Sequence, residues 1–214
     1  MFNLRKTSVN KKGKIYDRPM ISIVAFFISI VILTPVLWVF SLSLKSGRET
    51  LSSKLLPKSP QPENYVEAWI QYDLGQFFFN SILVTGLSVL VTVFVAMSAA
   101  YAFTKIPFKG SEFLFSLLVI AIIIPPSALV VPLLIEMKFF GMYNTRAGLV
   151  VLYIAFGLPI ATLVFRGFFA GIPDEIIEAA RLDGCTEYQV LWKILAPVSK
   201  GAIATVTILL FLAN

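Results

Sequence analysis

Residues 172–184 have the sequence IPDEIIEAARLDG, a polar stretch between two apolar runs of the chain. Pro173 suits the first turn of a helix, where its missing N–H is no loss. Asp174 and Glu175 suit the positive N-terminal end of the helix dipole. Gly184 supplies a turn position that tolerates a positive φ. The stretch therefore predicts a short helix with a marked beginning and a marked end.

The side chains of this predicted helix divide into two faces. Ile176, Ala179 and Ala180 fall on one face at helical spacing, and Glu178 is displaced from it. Glu178 and Arg181 are neighbours at i, i+3 and can form a weak pair. Two small alanines beside a carboxylate suit docking into the groove of a partner. A solvated interfacial helix is the alternative, because Glu and Ala are strong helix formers and often occur together by chance.

A second helix is expected directly after the turn. Thr186 and Gln189 have the spacing of a capping box, in which each side chain bonds the backbone N–H of the other residue. Residues 190–195 are mostly apolar, so this helix is predicted to lie along a bilayer or a helix bundle. Pro197 is expected to end it before the next apolar run.

Long apolar runs flank this polar segment on both sides. A helix rises about 1.5 Å per residue, so about 20 apolar residues cross a hydrocarbon core of about 30 Å. Four runs without charged residues suit such a crossing: residues 19–44, 77–103, 113–135 and 147–165. A fifth begins near Val198 and is still apolar at Asn214. We therefore predict four full spans and an incomplete fifth, in an incomplete version of a longer protein.

Two stretches depart from a plain apolar helix. Pro125 and Pro126 lie within the third run and should break or kink its helix. Such a break either lines a pathway or is a buried packing kink, and the sequence leaves both open. Residues 45–76 contain prolines that favour an extended path. Three aromatic residues typical of a membrane interface follow there: Tyr65, Trp69 and Tyr72.

The composition indicates a membrane protein, since 57% of the residues are apolar and only 14% are charged. A soluble domain has about 25% charged residues. The four full runs contain no ionisable Asp, Glu, Lys or Arg, which disfavours an ion-coupled secondary carrier. The absence of His excludes His-dependent zinc sites and Ser-His-Asp or Cys-His catalysis. Cys185 is the single cysteine, so no intrachain disulfide can form.

The net charge of +6 comes from basic residues in the connections between the apolar runs. If the N-terminus is inside, the inner segments hold twelve Lys and Arg residues and the outer segments hold six. This difference favours a cytoplasmic N-terminus, with a basic cytoplasmic tail at residues 1–18 and a cytoplasmic segment at residues 166–197. The distribution indicates topology, and no nucleic-acid partner is expected.

The spacing of residues in the polar segment resembles a known family. Seven positions are similar to the EAA signature of the membrane subunits of binding-protein-dependent ABC importers: Glu178, Ala179, Ala180, Asp183, Gly184, Ile194 and Pro197. Further motifs resemble the carbohydrate branch, and its MalG-type subunits most: FNS at 79–81, AAYAF at 99–103, FKG at 108–110, IPP at 124–126, PL at 132–133, NT at 144–145 and IP at 172–173. Three positions depart mildly from the family pattern: Cys185, Ala196 and Gly201.

The resemblance implies an all-α fold, a polytopic transmembrane helix bundle of the ABC importer permease type, with six spans of which the last is absent from this chain. Residues 19–214 then form the permease domain, with a coupling helix at 174–190. Seven residues would dock the ATPase subunit: Glu175, Glu178, Ala179, Ala180, Arg181, Asp183 and Gly184. The protein would carry a sugar or oligosaccharide across a bacterial or archaeal plasma membrane, without catalytic activity of its own.

The resemblance also implies the partners of the chain. These are cytoplasmic ABC ATPase subunits, a second homologous permease and an extracytoplasmic solute-binding protein. The chain lacks the Gly-x-x-x-x-Gly-Lys-Ser/Thr motif, so ATP is expected to bind the partner, and no cofactor or metal is expected in this chain. The binding protein is expected to meet residues 45–76 and the outer turn at residues 141–145.

Two alternatives remain open at this stage. A permease for another solute, such as a polyamine or an amino acid, shares the EAA signature, although the further motifs favour a sugar. An ion-coupled carrier, from a different class, would take up its solute with an ion gradient and no ATPase. An intramembrane enzyme has no recognisable site.

Overall fold

The structure is a computed structural model that describes residues 19–52, 54–106 and 108–214, and the predicted basic tail at residues 1–18 lies outside them. The described residues form helices and turns and contain no β-strand, which confirms the all-α fold class. They belong to two compact units, Met1–Gly75 and Gln76–Asn214.

The first unit contains helices α1 (Pro19–Ser43) and α2 (Glu63–Ile70). The Asn64 amide Nδ2 donates to the carbonyl oxygens of Ser43 at 2.9 Å and Lys45 at 3.0 Å. Because the last carbonyls of a helix have no intrahelical partner, Asn64 caps the C-terminal end of α1. The hydroxyl oxygens of Ser43 and Tyr65 lie 2.6 Å apart and form a second link between the two helices.

The rest of the described residues form eight helices and three short turns of other helical types. The helices are α3 (Leu74–Lys105), α4 (Ser111–Ile120), α5 (Val130–Phe139), α6 (Arg146–Ala170), α7 (Asp174–Leu182), α8 (Glu187–Gln189), α9 (Ala196–Val198) and α10 (Lys200–Ala213). Two 3-10 turns, Ala121–Ile123 and Pro126–Leu129, lie between α4 and α5. A π-helical turn, Val190–Leu195, joins α8 to α9.

The third expected span is broken at its two prolines. The segments Ser111–Ile123 and Pro126–Phe139 are bent by 93° relative to each other. Ile124 and Pro125 have extended backbone, with ψ of 117° and 132°. A residue before proline is kept out of the α region, and proline itself lacks the N–H that a helix needs. The predicted break is confirmed, and two shorter helices replace the single one expected over residues 113–135.

A second bend, of 82°, separates α9 from α10. The expectation that Pro197 ends the preceding helix is wrong, because Pro197 lies inside α9 and the break follows at Ser199. The π-helical turn directly before α9 is wider than an α-helical turn. It therefore relieves the clash between a proline ring and the turn that precedes it.

Three helices of the described chain are long and apolar enough to cross a membrane by themselves: Ser22–Ser43, Leu74–Lys105 and Arg146–Ala170. The two bent pairs raise this number to five if each pair is one span. The four full spans and the partial fifth span that the sequence predicts fall within this range of three to five. Large apolar side chains cover the outer faces, among them Leu90, Phe211 and Leu212, as expected where lipid rather than water is the solvent.

The core of the second unit lies between α3, α6 and the segment from α8 to α10. Met97, Phe165, Phe169 and Leu195 are completely buried there. A Cβ atom on Gly157 would lie 2.8 Å from Leu210 Cδ2 and 3.2 Å from Thr92 Cγ2. Glycine at this position of α6 therefore lets α3 and α10 approach closely, as small residues do between membrane helices.

Candidate functional site

Helix α7 carries most of the residues that the sequence singles out. Ile177 and Ala180 are buried in the core of the second unit. Glu175, Glu178 and Ala179 are exposed. The predicted grouping of Ile176 with Ala179 and Ala180 on one face is therefore only partly right. Two overlapping apolar faces are possible around Ala180, one with Ile176 and one with Ile177, and the packing of α7 buries the second.

The exposed face of α7 combines acidic and apolar side chains. Glu175, Ile176, Glu178, Ala179 and Leu182 lie on it, and Leu182 is 89% exposed. Successive residues turn by about 100° around a helix, so these five occupy one continuous side. Ile176 and Leu182 were not singled out as site residues in the sequence. Their signal was helical spacing: Leu182 follows Glu178 by four residues, and Ile176 precedes Ala179 by three.

The N-terminal end of α7 is fastened to the last residue of α3. Lys105 Nζ donates to the carbonyl oxygen of Ile172 at 2.6 Å and to Asp174 Oδ1 at 2.5 Å. The Lys105 side chain is only 6% exposed, whereas Asp174 is largely exposed. Hydrogen bonds that involve a charged group are the stronger ones. We call this contact the first anchor of α7.

The C-terminal end of α7 is fastened to α3 and α8 by a second anchor. The Tyr101 hydroxyl donates to Glu187 Oε2. Arg181 reaches the same carboxylate from α7, with Nε 2.8 Å from Oε1 and Nη2 3.1 Å from Oε2. Tyr101 is buried, at 3% exposure. Three elements therefore meet at one carboxylate.

The pairing of Arg181 corrects the sequence expectation. Arg181 binds Glu187, six residues further on, rather than Glu178 one turn before it. Glu187 offers two oxygens to the planar guanidinium, and Tyr101 already holds it in place, whereas a single i, i+3 pair on an exposed helix is weak. The Arg181 guanidinium and then the Tyr101 hydroxyl hold the pKa of Glu187 below its usual range. Glu187 therefore stays ionised at neutral pH.

The turn between α7 and α8 agrees with the sequence prediction. Gly184 has a φ of +83°, and its N–H donates to the Arg181 carbonyl at 3.0 Å. The capping box is also confirmed. Thr186 Oγ1 accepts from the Gln189 N–H at 3.4 Å, and Gln189 Oε1 accepts from the Thr186 N–H at 3.0 Å. These bonds satisfy several of the backbone groups that would otherwise be unpaired at the end of α7 and the beginning of α8.

Lys105, Tyr101 and Glu187 are therefore functional candidates that the sequence analysis missed. Lys105 is the first charged residue after a long apolar run, and Tyr101 lies one turn before it. That spacing places both side chains on one side of α3. Lys105 contacts Asp174, 69 residues further on, and Tyr101 contacts Glu187, 86 residues further on. Only these contacts distinguish the two residues from ordinary residues at the end of a span.

An open cavity of about 710 Å³ is lined by the beginnings of α3 and α6 and by the segment after the proline break. Its polar lining comes from Asn80, Ser81, Thr85, Ser127, Tyr143, Asn144, Thr145, Arg146, Tyr153 and Asn214, and its apolar lining includes Val84, Val130, Leu133, Leu149, Leu152 and Phe156. The sequence assigns no substrate-binding residue to this cavity, although it predicts that the turn at residues 141–145 meets the binding protein. Pro126 and Ser127, at the proline break, therefore border an open space.

Comparison with known proteins identifies relatives of the chain. Residues 93–214 match the model of the family described as "binding-protein-dependent transport system inner membrane component". The diacetylchitobiose uptake system permease protein of Streptomyces coelicolor is 31% identical over 185 residues, which are 86% of this chain and 61% of that protein. A melibiose/raffinose/stachyose import permease protein of Bacillus subtilis is 30% identical, over 89% of this chain and 69% of the relative.

Two further comparisons extend this result. A probable ABC transporter permease protein of Bacillus subtilis is 36% identical over 86% of the chain, which again spans 61% of the relative. The chain thus spans about three fifths of these first relatives. A crystal structure of a bacterial ABC transporter involved in the import of alginate, an acidic polysaccharide, has a similar fold. Its TM-score is 0.79 at 24% identity, over 91% of this chain and 69% of that one.

Proposed function

Because the chain belongs to the family of binding-protein-dependent transport system inner membrane components, we propose that it is a membrane-spanning permease subunit of an ATP-driven importer for a sugar or oligosaccharide. Named relatives that transport diacetylchitobiose, trehalose and melibiose, raffinose or stachyose support the sugar assignment. The chain has no catalytic activity of its own in this proposal. A separate ATPase supplies the energy.

The exposed face of α7, defined by Glu175, Ile176, Glu178, Ala179 and Leu182, is the docking surface for the ATPase in this proposal. Its apolar residues are Ile176, Ala179 and Leu182, and its two carboxylates lie among them on the same side of the helix. Such a face suits a cleft with an apolar floor and a basic rim. Ala180, Arg181, Asp183 and Gly184 contribute differently, since they pack α7, anchor it and turn the chain after it. The N-terminus and residues 166–197 lie on the cytoplasmic side.

The observation that carries the proposal is the double anchoring of α7. Lys105 holds its N-terminal end and Tyr101 holds its C-terminal end through Glu187. Both anchoring residues lie at the end of the same long helix, α3. When the ATPase subunits close on ATP, a displacement of α7 therefore has to move the end of α3 as well. Through the two anchors, α7 transmits the movement of the closing ATPase subunits to α3 and so changes the conformation of the pore.

The complete transporter contains further subunits in this proposal. A second homologous permease completes the pore. An extracytoplasmic solute-binding protein delivers the sugar to the outer face, where residues 45–76 and the turn at residues 141–145 contact the binding protein. The pore then alternates between inward-facing and outward-facing states as the ATPase subunits close and open.

Uptake by the assembled transporter in vesicles tests this function. The chain would be reconstituted with its ATPase, second permease and binding protein, and offered radiolabelled trehalose, diacetylchitobiose, melibiose and raffinose, with spermidine and glutamine as other solute classes. ATP-dependent uptake of a sugar is the expected result. Uptake of spermidine or glutamine alone would replace the sugar assignment. Uptake driven by an ion gradient without ATP would overturn the function itself.

Variants of the docking surface test the role of α7 in the same vesicles. Ala179→Asp and Glu178→Lys should leave membrane insertion unchanged and abolish sugar-stimulated ATP hydrolysis. Glu136→Lys, an exposed glutamate of α5, is the matched control and should retain it. Full uptake by Ala179→Asp with the ATPase still bound would count heavily against docking at α7.

A further inference from the structure

None of the residues that line the cavity between α3, α6 and the proline break belongs to α7. We propose that the cavity is a subsite for the transported saccharide, in which Asn80 and Tyr153 form hydrogen bonds with sugar hydroxyl groups; this inference rests on the proposed function. In this view the subunit contacts its substrate directly, in addition to transmitting movement from α7.

The size and lining of the cavity suit a sugar. Its volume of about 710 Å³ lies within the range of about 300–1,000 Å³ that is typical of small-molecule sites. Apolar side chains such as Leu152 and Phe156 form most of its wall, and ten polar or charged residues contribute the remainder. A saccharide has the same character, with hydroxyl groups at its edges and C–H faces between them.

The polar groups have unmet hydrogen-bonding capacity. In the described part of the chain, the side chains of Asn80 and Tyr153 make no hydrogen bond, and both are half-buried. Asn80 lies nearly two turns into α3, and Tyr153 lies about two turns into α6. Polar groups at such depth in apolar helices are costly unless they are satisfied. A hydroxylated solute satisfies both, since an amide and a phenol each donate and accept.

The charge of the cavity restricts the class of solute. Arg146 is the only charged side chain in the described lining, and it forms no ion pair with a described residue. A cationic solute such as a polyamine would therefore be repelled. Arg146 offers several N–H donors to a hydroxyl, carboxylate or phosphate oxygen. The cavity thus favours neutral or acidic saccharides over amines.

The rim of the cavity is held rigidly. Thr145 Oγ1 accepts from the Gly148 N–H at 3.0 Å and donates to the Met142 carbonyl at 2.8 Å. A Cβ atom on Gly148 would lie 2.3 Å from the same carbonyl oxygen. The loop therefore packs tightly on the first turn of α6, and it places Tyr143, Asn144 and Arg146 around the opening. A preformed rim reduces the ordering cost of binding.

Protection from labelling tests the subsite in the complete transporter. In a Cys185→Ser background, which removes the single cysteine, Ser81→Cys places a thiol in the cavity, and Ser98→Cys on the same helix is the control outside it. The probe is a small methanethiosulfonate reagent, and the sugar is the one that the uptake panel identifies. At about ten times its dissociation constant the sugar should slow labelling of Ser81→Cys about tenfold, and should not affect Ser98→Cys.

Two labelling results overturn the proposal. Labelling of Ser81→Cys that the sugar does not slow shows that the cavity is not occupied by substrate. A Ser81→Cys thiol that is unreactive without sugar, although the reagent labels other exposed positions, shows that protein fills the cavity in the assembled transporter.

A functional measurement separates this proposal from the proposed function. Asn80→Ala and Tyr153→Phe should each lower the amount of sugar imported per ATP hydrolysed about fivefold, as the loss of one hydrogen bond implies, while ATP hydrolysis stimulated by the binding protein is unchanged. An unchanged ratio overturns the subsite and leaves the importer intact. If the wild-type transporter imports no sugar of the panel, the proposed function fails instead.

Discussion

Lys105, the last residue of α3, lies 2.5 Å from Asp174, the first residue of α7, measured from Nζ to Oδ1. The lysine side chain is nearly buried, and it also binds the carbonyl of Ile172. A long apolar helix therefore ends in a cation that holds the beginning of α7, whose exposed face carries two glutamates. This contact and its counterpart at Glu187 connect a surface segment to the helix bundle.

Removal of the Lys105 ammonium should weaken transmission from α7. Lys105→Met keeps the apolar stem but loses both hydrogen bonds, so we expect sugar imported per ATP to fall several-fold. The free energy of unfolding should fall by about 1 kcal/mol, a modest value because Asp174 is largely exposed. The measurements are coupled uptake and ATP hydrolysis, with a thermal unfolding curve.

Lys109→Met is the matched control for this prediction. Lys109 lies in the next turn of the chain and is exposed, so its loss should leave both quantities unchanged. Equal effects of the two substitutions would show that only the net charge of this region matters.

The second anchor should act as one cooperative unit. Tyr101→Phe and Glu187→Gln each remove part of the same network, so their effects on the free energy of unfolding should not add, and the coupling should be about 1 kcal/mol. A double-mutant cycle by thermal unfolding measures this value. Tyr188→Phe is the control, because its side chain is exposed. Strictly additive effects would mean that Tyr101 and Glu187 contribute separately.

Gly184 should be required for the turn after α7. Its φ of +83° is a conformation that other residues adopt at a cost of about 1–2 kcal/mol. Gly184→Ala should therefore lower stability by about 1 kcal/mol and uncouple ATP hydrolysis from uptake, because α7 and α8 shift. Gly184→Asn should be milder, since Asn tolerates a positive φ. Gly201→Ala has open space around it and serves as the control.

Gly148 should be required for the rim of the cavity. An added Cβ atom would collide with the Met142 carbonyl oxygen at 2.3 Å, and backbone atoms cannot move aside as a flexible side chain does. Gly148→Ala should destabilise the protein by about 1–3 kcal/mol. In Gly86→Ala the new methyl group meets nothing within 4 Å, so this variant should be neutral or slightly stabilising because Ala favours a helix. Thermal unfolding of both variants in one detergent is the comparison.

Local signals predicted several elements of the structure well. The proline pair at residues 125–126, the positive φ of Gly184 and the capping box of Thr186 and Gln189 depend on backbone geometry within a few residues, so the sequence indicates them directly. The apolar runs also depend on local composition. Pro197 was misplaced because a π-helical turn, which has no clear sequence signal, accommodates it inside a helix.

The sequence by itself determined the class of the protein and the segment in which to look for coupling. Low charge and long apolar runs exclude a water-soluble fold, because too few polar residues remain to cover the surface in water. In lipid the same runs must be helices, since every backbone group has to be satisfied within the segment. Only the tertiary structure decided which face of α7 is buried, that Arg181 pairs with Glu187, and that Lys105 and Tyr101 hold both ends of α7. These contacts join residues up to 86 positions apart. Helical periodicity allows either Ile176 or Ile177 to face inward, and long-range packing selects one of them.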